Sequence, residues 1–318
     1  MKSQNSSFIS KFLQQESSGG ILLVGAAVLA IWAANSPLSA LYNLLLELPV
    51  SIRIGALAID KPLLLWVNDG LMAVFFFLVG LELKREFIEG ELSNRKKIVL
   101  PGLGAAGGMI VPAVIYAMLN YHDAIAMKGW AIPTATDIAF ALGVLSLLGS
   151  RIPASLKIFL TSLAIFDDIG ALLIIALLYT SKISMIALLV TACCIVVLLM
   201  MSIKKVGATS LYIFVGVIMW VATLKSGVHA TLAGITLAMF IPMRSPQDAS
   251  VSPLKQLEHD LHATVAFIIL PLFAFFNSGI NLYGFGMDNL LHPVPLGIEV
   301  GLVIGQQAGL FCFVCLGL

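Results

Sequence analysis

Three aspartates stand inside otherwise apolar stretches of the sequence: Asp137, and the adjacent pair Asp167 and Asp168. An ionisable side chain at the depth of a lipid bilayer is costly, and where one occurs it is usually functional. Carboxylates supply the oxygen ligands that hard cations prefer, and they also take up and release protons. The three side chains therefore predict an ion-handling centre at which a cation and a proton compete.

The pair lies in the middle of SLAIFDDIGALL, residues 162–173. Adjacent residues of a helix are about 100° apart, so the two carboxylates point in different directions and should have different partners. Repulsion and desolvation both disfavour the ionised form, and at least one carboxylate should titrate nearer neutral pH, coupled to its neighbour. The alternative interpretation is a purely structural pair of buried aspartates.

Asp137 lies in AIPTATDIAFALG, residues 131–143. Pro133 removes a backbone donor and crowds the preceding turn, while Thr134 and Thr136 offer hydroxyls to the carbonyls that are freed. This pattern predicts an interrupted helix, whose exposed carbonyls and helix ends can bind ions. The alternative is a proline kink with one satisfied aspartate.

The elements that position these residues are membrane helices. Of 318 residues, 59% are hydrophobic and 11% charged, and the mean hydropathy is +1.02, well above the apolar content of soluble domains. The net charge of +1 does not suggest nucleic acid as a partner. We predict an all-α polytopic protein, a single domain over residues 1–318 in a lipid bilayer, with ten spans near 19–35, 62–82, 98–119, 130–148, 155–179, 183–202, 207–223, 228–243, 260–282 and 295–316.

The orientation follows from the charged loop KREFIEGELSNRKK at residues 84–97, which is too polar to enter lipid. With this loop and the N-terminus in the cytoplasm, most of the 18 basic residues fall on the cytoplasmic side, as the positive-inside rule requires. The polar N-terminal segment shows no cleavage site typical of a signal peptide.

Charged residues also gather at the ends of two predicted spans that face the cytoplasm. Helical spacing puts neighbours three and four residues apart on one face, and histidine changes charge between about pH 5 and pH 8. A cluster that joined the two ends could sense cytoplasmic pH, although solvated helix caps are an equal alternative. The residues are Glu82, Lys84, Arg85 and Glu86 after the second span, and Glu258, His259 and His262 before the ninth.

Other candidates carry weaker signals. Asp69 and Glu299 lie near span ends, where water can reach them, and His229 stands at the start of a span. Cys312 and Cys315 have a CxxC spacing, but further metal or redox ligands do not accompany them. We therefore predict lipid-facing or core-facing thiols and no cofactor.

Long strings on several spans resemble the NhaA-type sodium/proton antiporters of bacterial inner membranes. The resemblance covers essentially the whole chain and rests on QQESSGGILL, WVNDGLMAVFFFLVGLELKRE, PTATDIAFALGVLSLLG, LAIFDDIGALLIIALLYT, LKSGVHATLAG, LEHDLHATVAFIILPLFAFFNSG and GLVIG. It implies a secondary transporter rather than an enzyme, one that exchanges cytoplasmic Na⁺ or Li⁺ for external H⁺ by alternating access and serves pH and sodium homeostasis. It also implies a homodimer.

The resemblance further assigns roles to residues. It implies that Asp167 and Asp168 bind the transported cation and the proton, with Asp137 at the break of the fourth span and Thr136 beside it. The residues that it implies in pH sensing are Glu82, Arg85, Glu86, Glu258, His259 and His262. Asp69 and His229 have supporting places in the matching strings.

Two departures from the family pattern matter. Gly305 is followed by Gln306 where the pattern has lysine, so the cation expected opposite Asp167 is replaced by an amide, and Asp167 should be neutral more often. The chain also stops after the tenth predicted span, before the second broken helix of the family. An inactive truncated homologue is therefore the main alternative to an active antiporter, and a channel is a third.

Overall fold

The structure, a computed structural model, is mostly helical. The described residues are 18–55, 57–90, 93, 95–134, 153, 156, 159–160, 162–163, 166–167, 170–171, 174, 184–245, 248, 250–284, 286 and 290–317. The main helices are α1 (Ser18–Ala34), α2 (Ser39–Glu47), α3 (Leu63–Ile88), α4 (Arg95–Asn120), α5 (Met185–Ile203), α6 (Thr209–Ser226), α7 (Leu232–Phe240), α8 (Pro253–Asn277) and α9 (Pro293–Gly317). Two strands, β1 (Pro49–Ile54) and β2 (Leu57–Pro62), precede α3.

Six of these helices, α3, α4, α5, α6, α8 and α9, are long and apolar enough to cross a membrane. They coincide with six of the ten predicted spans. Helices α1 and α2, bent by 113° at the break between them, form a seventh candidate. The spans predicted at 130–148 and 155–179 fall mostly outside the described residues. Of the helix break predicted near Asp137, Pro133 and Thr134 are described, whereas Thr136 and Asp137 are not.

Helix α7 is shorter than the span predicted at 228–243. It ends at Phe240 because Ile241 is extended, with ψ at 128°, and the following Pro242 has no backbone N–H to continue the helix. At its other end, the chain turns through Gly227, whose φ is +86°.

The all-α prediction is wrong in one element, the antiparallel hairpin of β1 and β2. Ile54 pairs with Leu57, which leaves a two-residue connection, and its Gly55 has φ at +59°, a conformation that glycine adopts without strain. The alternation of Val50, Ser51, Ile52 and Arg53 is the period-two signal that a search for long apolar segments passes over.

The chain divides into two compact units. The first comprises Met1–Arg85 and Tyr179–Tyr283. Its core lies among α3, α5, α6 and α7, where Leu81, Leu198 and Met219 are fully buried. Large apolar side chains elsewhere on these helices are exposed, such as Ile186 at 80%, as expected of residues that face lipid.

The second unit comprises Glu86–Leu178 and Gly284–Leu318, and α4 and α9 are its main helix pair. Beyond α4, the Asp123 carboxylate accepts hydrogen bonds from the backbone N–H groups of Ala126 and Ile125, which lower the pKa of this carboxyl. The stabilisation is therefore present at neutral pH and is lost as the pH falls through the lowered pKa. The turn leads into the short 3₁₀ helices Ala126–Gly129 and Ile132–Thr134.

Helices α4 and α9 meet backbone to backbone at Gly107 and Gly309. A Cβ atom on either glycine would overlap the carbonyl oxygen of the other. We expect Gly107→Ala to destabilise the protein by about 1–3 kcal/mol, because neither backbone can yield without moving its helix. The measurement is the thermal unfolding midpoint in detergent.

Gly25→Ala in α1 is the matched control, since no heavy atom lies within 4 Å of a Cβ built there. Alanine favours a helix over glycine, so this variant should be as stable as the unmodified chain or slightly more so. Equal midpoints for Gly107→Ala and Gly25→Ala would contradict the close helix contact.

Candidate functional site

Asp167 is the one member of the predicted acidic centre that falls within the described residues. It is helical, as are the described residues around it between 156 and 174, and its exposure is 1%. Ser162 and Leu163 on the same helical stretch are also buried. A carboxylate enclosed to this degree has lost nearly all of its contact with bulk solvent, so its ionisation depends on the groups around it.

Glycines of α4 allow the helical stretch with Asp167 to approach. A Cβ on Gly104 would lie 2.8 Å from Cδ1 of Leu163, and a Cβ on Gly102 would lie 3.9 Å from Cζ of Phe166. One turn further along α4, the carboxylate itself reaches the helix, because Oδ1 of Asp167 would lie 3.9 Å from a Cβ on Gly108.

Gln306 lies against the same glycine. Its Cγ would be 3.8 Å from the Cβ on Gly108, so the glutamine of α9 and the carboxylate of Asp167 lie against the same residue of α4. Gln306 directly follows a π-helical turn, Gly301–Gly305, a feature that often marks functional positions in helices. Helix α9 contains no lysine, arginine or histidine, so it brings an amide and not a cation to this place.

Asp168, Asp137 and Thr136 lie outside the described residues. Thr134, the last described residue before them, is 1% exposed and donates its hydroxyl to the carbonyl of Ala131 at 2.7 Å. The Pro133 ring packs on α9, where a Cβ on Gly301 would lie 2.8 Å from Cβ of Pro133. Pro133, four residues before Asp137 in the sequence, therefore packs on the helix that carries Gln306.

The structure joins the two charged groups predicted at the cytoplasmic ends of spans. Nε of Arg85 on α3 lies 3.3 Å from Oε2 of Glu258 on α8, with side-chain exposures of 38% and 16%. Glu82 and Glu86 are partly buried, whereas His259 and His262 are exposed. The ion pair, rather than the histidines, is the part of this group that packing holds in place.

Asp69 has a specific partner near the other end of α3. Its Oδ2 lies 2.7 Å from Nζ of Lys61, at the end of β2, and its carbonyl accepts a hydrogen bond from Nε1 of Trp220 at 2.9 Å. Asp69 sits in a π-helical turn, Val67–Leu71. His229 is partly buried, and its Nε2 is enclosed with no hydrogen-bond partner among the described residues.

Comparison with known proteins places these features in a family. The sequence model described as Na⁺/H⁺ antiporter 1 matches residues 10–318. Proteins named Na⁺/H⁺ antiporter NhaA 3 from Saccharophagus degradans and Na⁺/H⁺ antiporter NhaA from Desulfotalea psychrophila are 58% and 60% identical. The alignments cover 99% and 96% of this chain, and 81% and 77% of those relatives.

The chain belongs to the Na⁺/H⁺ antiporter 1 family. The resemblance inferred from the sequence strings is thereby confirmed. A third relative, the Na⁺/H⁺ antiporter NhaA of a Sulfurovum species, is 57% identical over 96% of this chain and 78% of its own length. Membership of the Na⁺/H⁺ antiporter 1 family, together with the apolar helices, makes this a membrane transporter and not an enzyme. The cytoplasmic N-terminus and the homodimer stay predictions.

Sequence reasoning did not identify every contact around these residues. It named Lys84 only as one charge in a group, and it did not foresee Lys61 as the partner of Asp69. It also missed the reciprocal amide pair of Asn68 on α3 and Asn277 on α8, whose Nδ2···Oδ1 distances are 3.0 Å and 2.8 Å. Local patterns carry no signal for partners that are distant in the sequence, so such pairs are recognised only after folding.

Proposed function

We propose that this chain exchanges sodium or lithium ions for protons across the bacterial inner membrane by alternating access. In this proposal Asp167 and Asp168 bind the cation and the proton competitively, with Asp137 and Thr136 completing the site at a break in the fourth span. Cytoplasmic sodium leaves and external protons enter, which serves pH and sodium homeostasis. The names of the relatives support sodium ions and protons as the exchanged ions.

The observation that carries the proposal is the burial of Asp167, at 1% exposure, among helical residues that lie against α4. A buried carboxylate is neutralised either by a proton or by a cation, and the two occupants exclude each other by charge. If such a site opens to one side of the membrane at a time, competition alone produces exchange. The direction then follows from the two ion gradients.

The transport assay is sodium-induced dissipation of a pH gradient in everted membrane vesicles. Added sodium or lithium should collapse the gradient in vesicles that contain the chain, whereas choline should not. Vesicles that lack the chain should keep their gradient with every salt. A gradient that survives sodium and lithium in the presence of the folded chain would overturn the proposal and leave an inactive homologue. Collapse by every monovalent cation alike would indicate a channel.

The pH response is proposed to involve Arg85 and Glu258, with Glu82, Glu86, His259 and His262 as the other members of the group. The support is the 3.3 Å ion pair between α3 and α8. Because α3 also carries Asp69, a change of charge at the pair acts on a helix that extends through the membrane to the opposite surface.

We expect Arg85→Gln to raise the pH of half-maximal exchange by about half a unit or more, since Glu258 loses the cation that favours its charged form. Glu258→Gln should also shift the profile, and the double variant should add little to either single change, because both remove one interaction. The pair is partly exposed, so its stabilising contribution should stay below about 1 kcal/mol. Lys204→Gln, which removes an exposed charge outside this group, is the comparison and should leave the profile unchanged. Additive shifts in the double variant would contradict the pairing.

A further inference from the structure

Lys84 lies beside the ion-pair residue Arg85 on α3, but it makes a different contact. Its Nζ donates to the carbonyl oxygens of Met239 and Ile241, both at 2.7 Å. Met239 belongs to the last turn of α7, and Ile241 is the residue that ends this helix. A single ammonium group therefore binds two carbonyls at the C-terminus of a neighbouring helix.

Those carbonyls need a donor. The last carbonyls of a helix have no partner within it, and the next residue, Pro242, has no N–H to offer. Ile241 is fully buried, so water cannot readily replace a lost donor at its carbonyl. The C-terminal end of a helix also carries partial negative charge, which favours a cation at this position.

The segment after α7 leads directly to Glu258. Beyond Ile241 the chain crosses to α8, and Leu254 N–H, in the first turn of α8, donates to the carbonyl of Pro242 at 3.3 Å. Leu254 is fully buried, which anchors this turn. One helical turn later, Glu258 meets Arg85. Adjacent residues of α3 thus hold both ends of one connection, Lys84 at the end of α7 and Arg85 in α8.

We propose that Lys84 is a positioning residue for the pH response: by binding the two carbonyls that end α7, it fixes the connection from α7 to α8 and so holds Glu258 opposite Arg85. The effect of Lys84 on the pH response rests on the proposed function. The attachment of Lys84 to the end of α7 does not depend on that function. Helix α7 carries no titratable residue. The charged or titratable residues on the other elements that meet here are Glu82, Arg85 and Glu86 on α3, Arg244 and Asp248 in the connection, and Lys255, Glu258, His259, Asp260 and His262 on α8.

The test compares Lys84→Met and Lys84→Arg with a matched control, Lys204→Met. Lys204 follows α5, is exposed, and makes no side-chain hydrogen bond or ion pair among the described residues. Amide hydrogen exchange of the full chain in lipid nanodiscs reports the attachment, and the pH profile of sodium-driven exchange in vesicles reports the positioning of Glu258. Arginine keeps a cation with several donors, so it should replace lysine in both measurements.

Lys84→Met should speed amide exchange in peptides from 237–254 on the order of tenfold, the effect of losing about one hydrogen bond to a buried carbonyl. It should also move the pH profile in the same direction as Glu258→Gln, while Lys84→Arg and Lys204→Met change neither measurement. If Lys84→Met is not produced in folded form, Lys84→Gln, which keeps two donors on a shorter side chain, should show the same local increase in exchange.

Unchanged amide exchange over 237–254 would overturn the attachment, whether or not the chain transports sodium. Faster amide hydrogen exchange over 237–254, with an unaltered pH profile of sodium transport, would overturn the proposed positioning of Glu258 by Lys84. If the unmodified chain itself transports nothing, the proposed function fails, and the hydrogen-exchange comparison still decides whether Lys84 holds the end of α7.

Discussion

Vesicles that contain the Asp168→Asn variant should keep their pH gradient when sodium is added, at the level of vesicles without the protein. Asparagine has nearly the size of aspartate, but it neither ionises nor releases a proton at neutral pH. If the negative charge of Asp168 is absent, a cation and a proton no longer compete for this side chain. Asp167→Asn should reduce exchange as well, because we propose that both adjacent carboxylates bind the cation and the proton.

Glu299→Gln is the matched control, since Glu299 is an exposed acid on α9. It removes the same charge from a membrane helix without touching the buried site, and it should exchange sodium like the unmodified chain. The amounts of each variant in the vesicles and their unfolding midpoints in detergent must match. Full exchange by Asp168→Asn under these conditions would overturn the role of the aspartate pair.

Gln306→Lys should move the pH profile of exchange toward acidic pH by about one unit or more. Gln306 and Asp167 lie against the same glycine of α4, so a lysine at this position places an ammonium near the carboxylate and favours its ionised form. With glutamine in place, we expect Asp167 to be neutral over a wider pH range. The charge moved per sodium ion should therefore also differ between the two proteins.

Gln307→Lys provides the control for Gln306→Lys. The neighbouring Gln307 is exposed on the same helix, so its lysine adds the same charge about 100° away around the helix axis. The pH profile and the membrane current per exchanged sodium are measured for both variants. The inferred role of Gln306 fails if Gln306→Lys leaves both quantities unchanged, or if Gln307→Lys shifts them equally.

Much of the fold could be predicted because membrane insertion depends on local composition. A run of about 20 apolar residues is sufficient to indicate a span, and α5 and α6 begin and end within a few residues of the predicted limits. The hairpin of β1 and β2 was not predicted, because its strands are short and their apolar residues alternate with polar ones instead of forming a long apolar run. The early end of α7 was also missed, since it depends on the backbone around Ile241 and Pro242 rather than on hydropathy.

The candidate site was predicted in part for the same reason. The burial of Asp167 follows from its apolar neighbours in the chain. The prediction that Gln306 lies opposite Asp167 depended only on the family pattern. The residues next to Gln306 in the sequence do not indicate which distant residue it approaches. Likewise, the sequence grouped Lys84 with Arg85 as charges at a helix end, although the structure gives them different partners on different helices.

The sequence by itself determined that this chain lies in a membrane, where six of its apolar helices are, and that Asp167 is buried. These properties depend on hydropathy and on the cost of burying charge, which neighbouring residues set. Only the tertiary structure decided that Gln306 and Asp167 both lie against Gly108, and that Lys84 binds the end of α7. Such contacts depend on how closely distant backbones approach, as at Gly107 and Gly309, and this distance is fixed by packing of the whole unit.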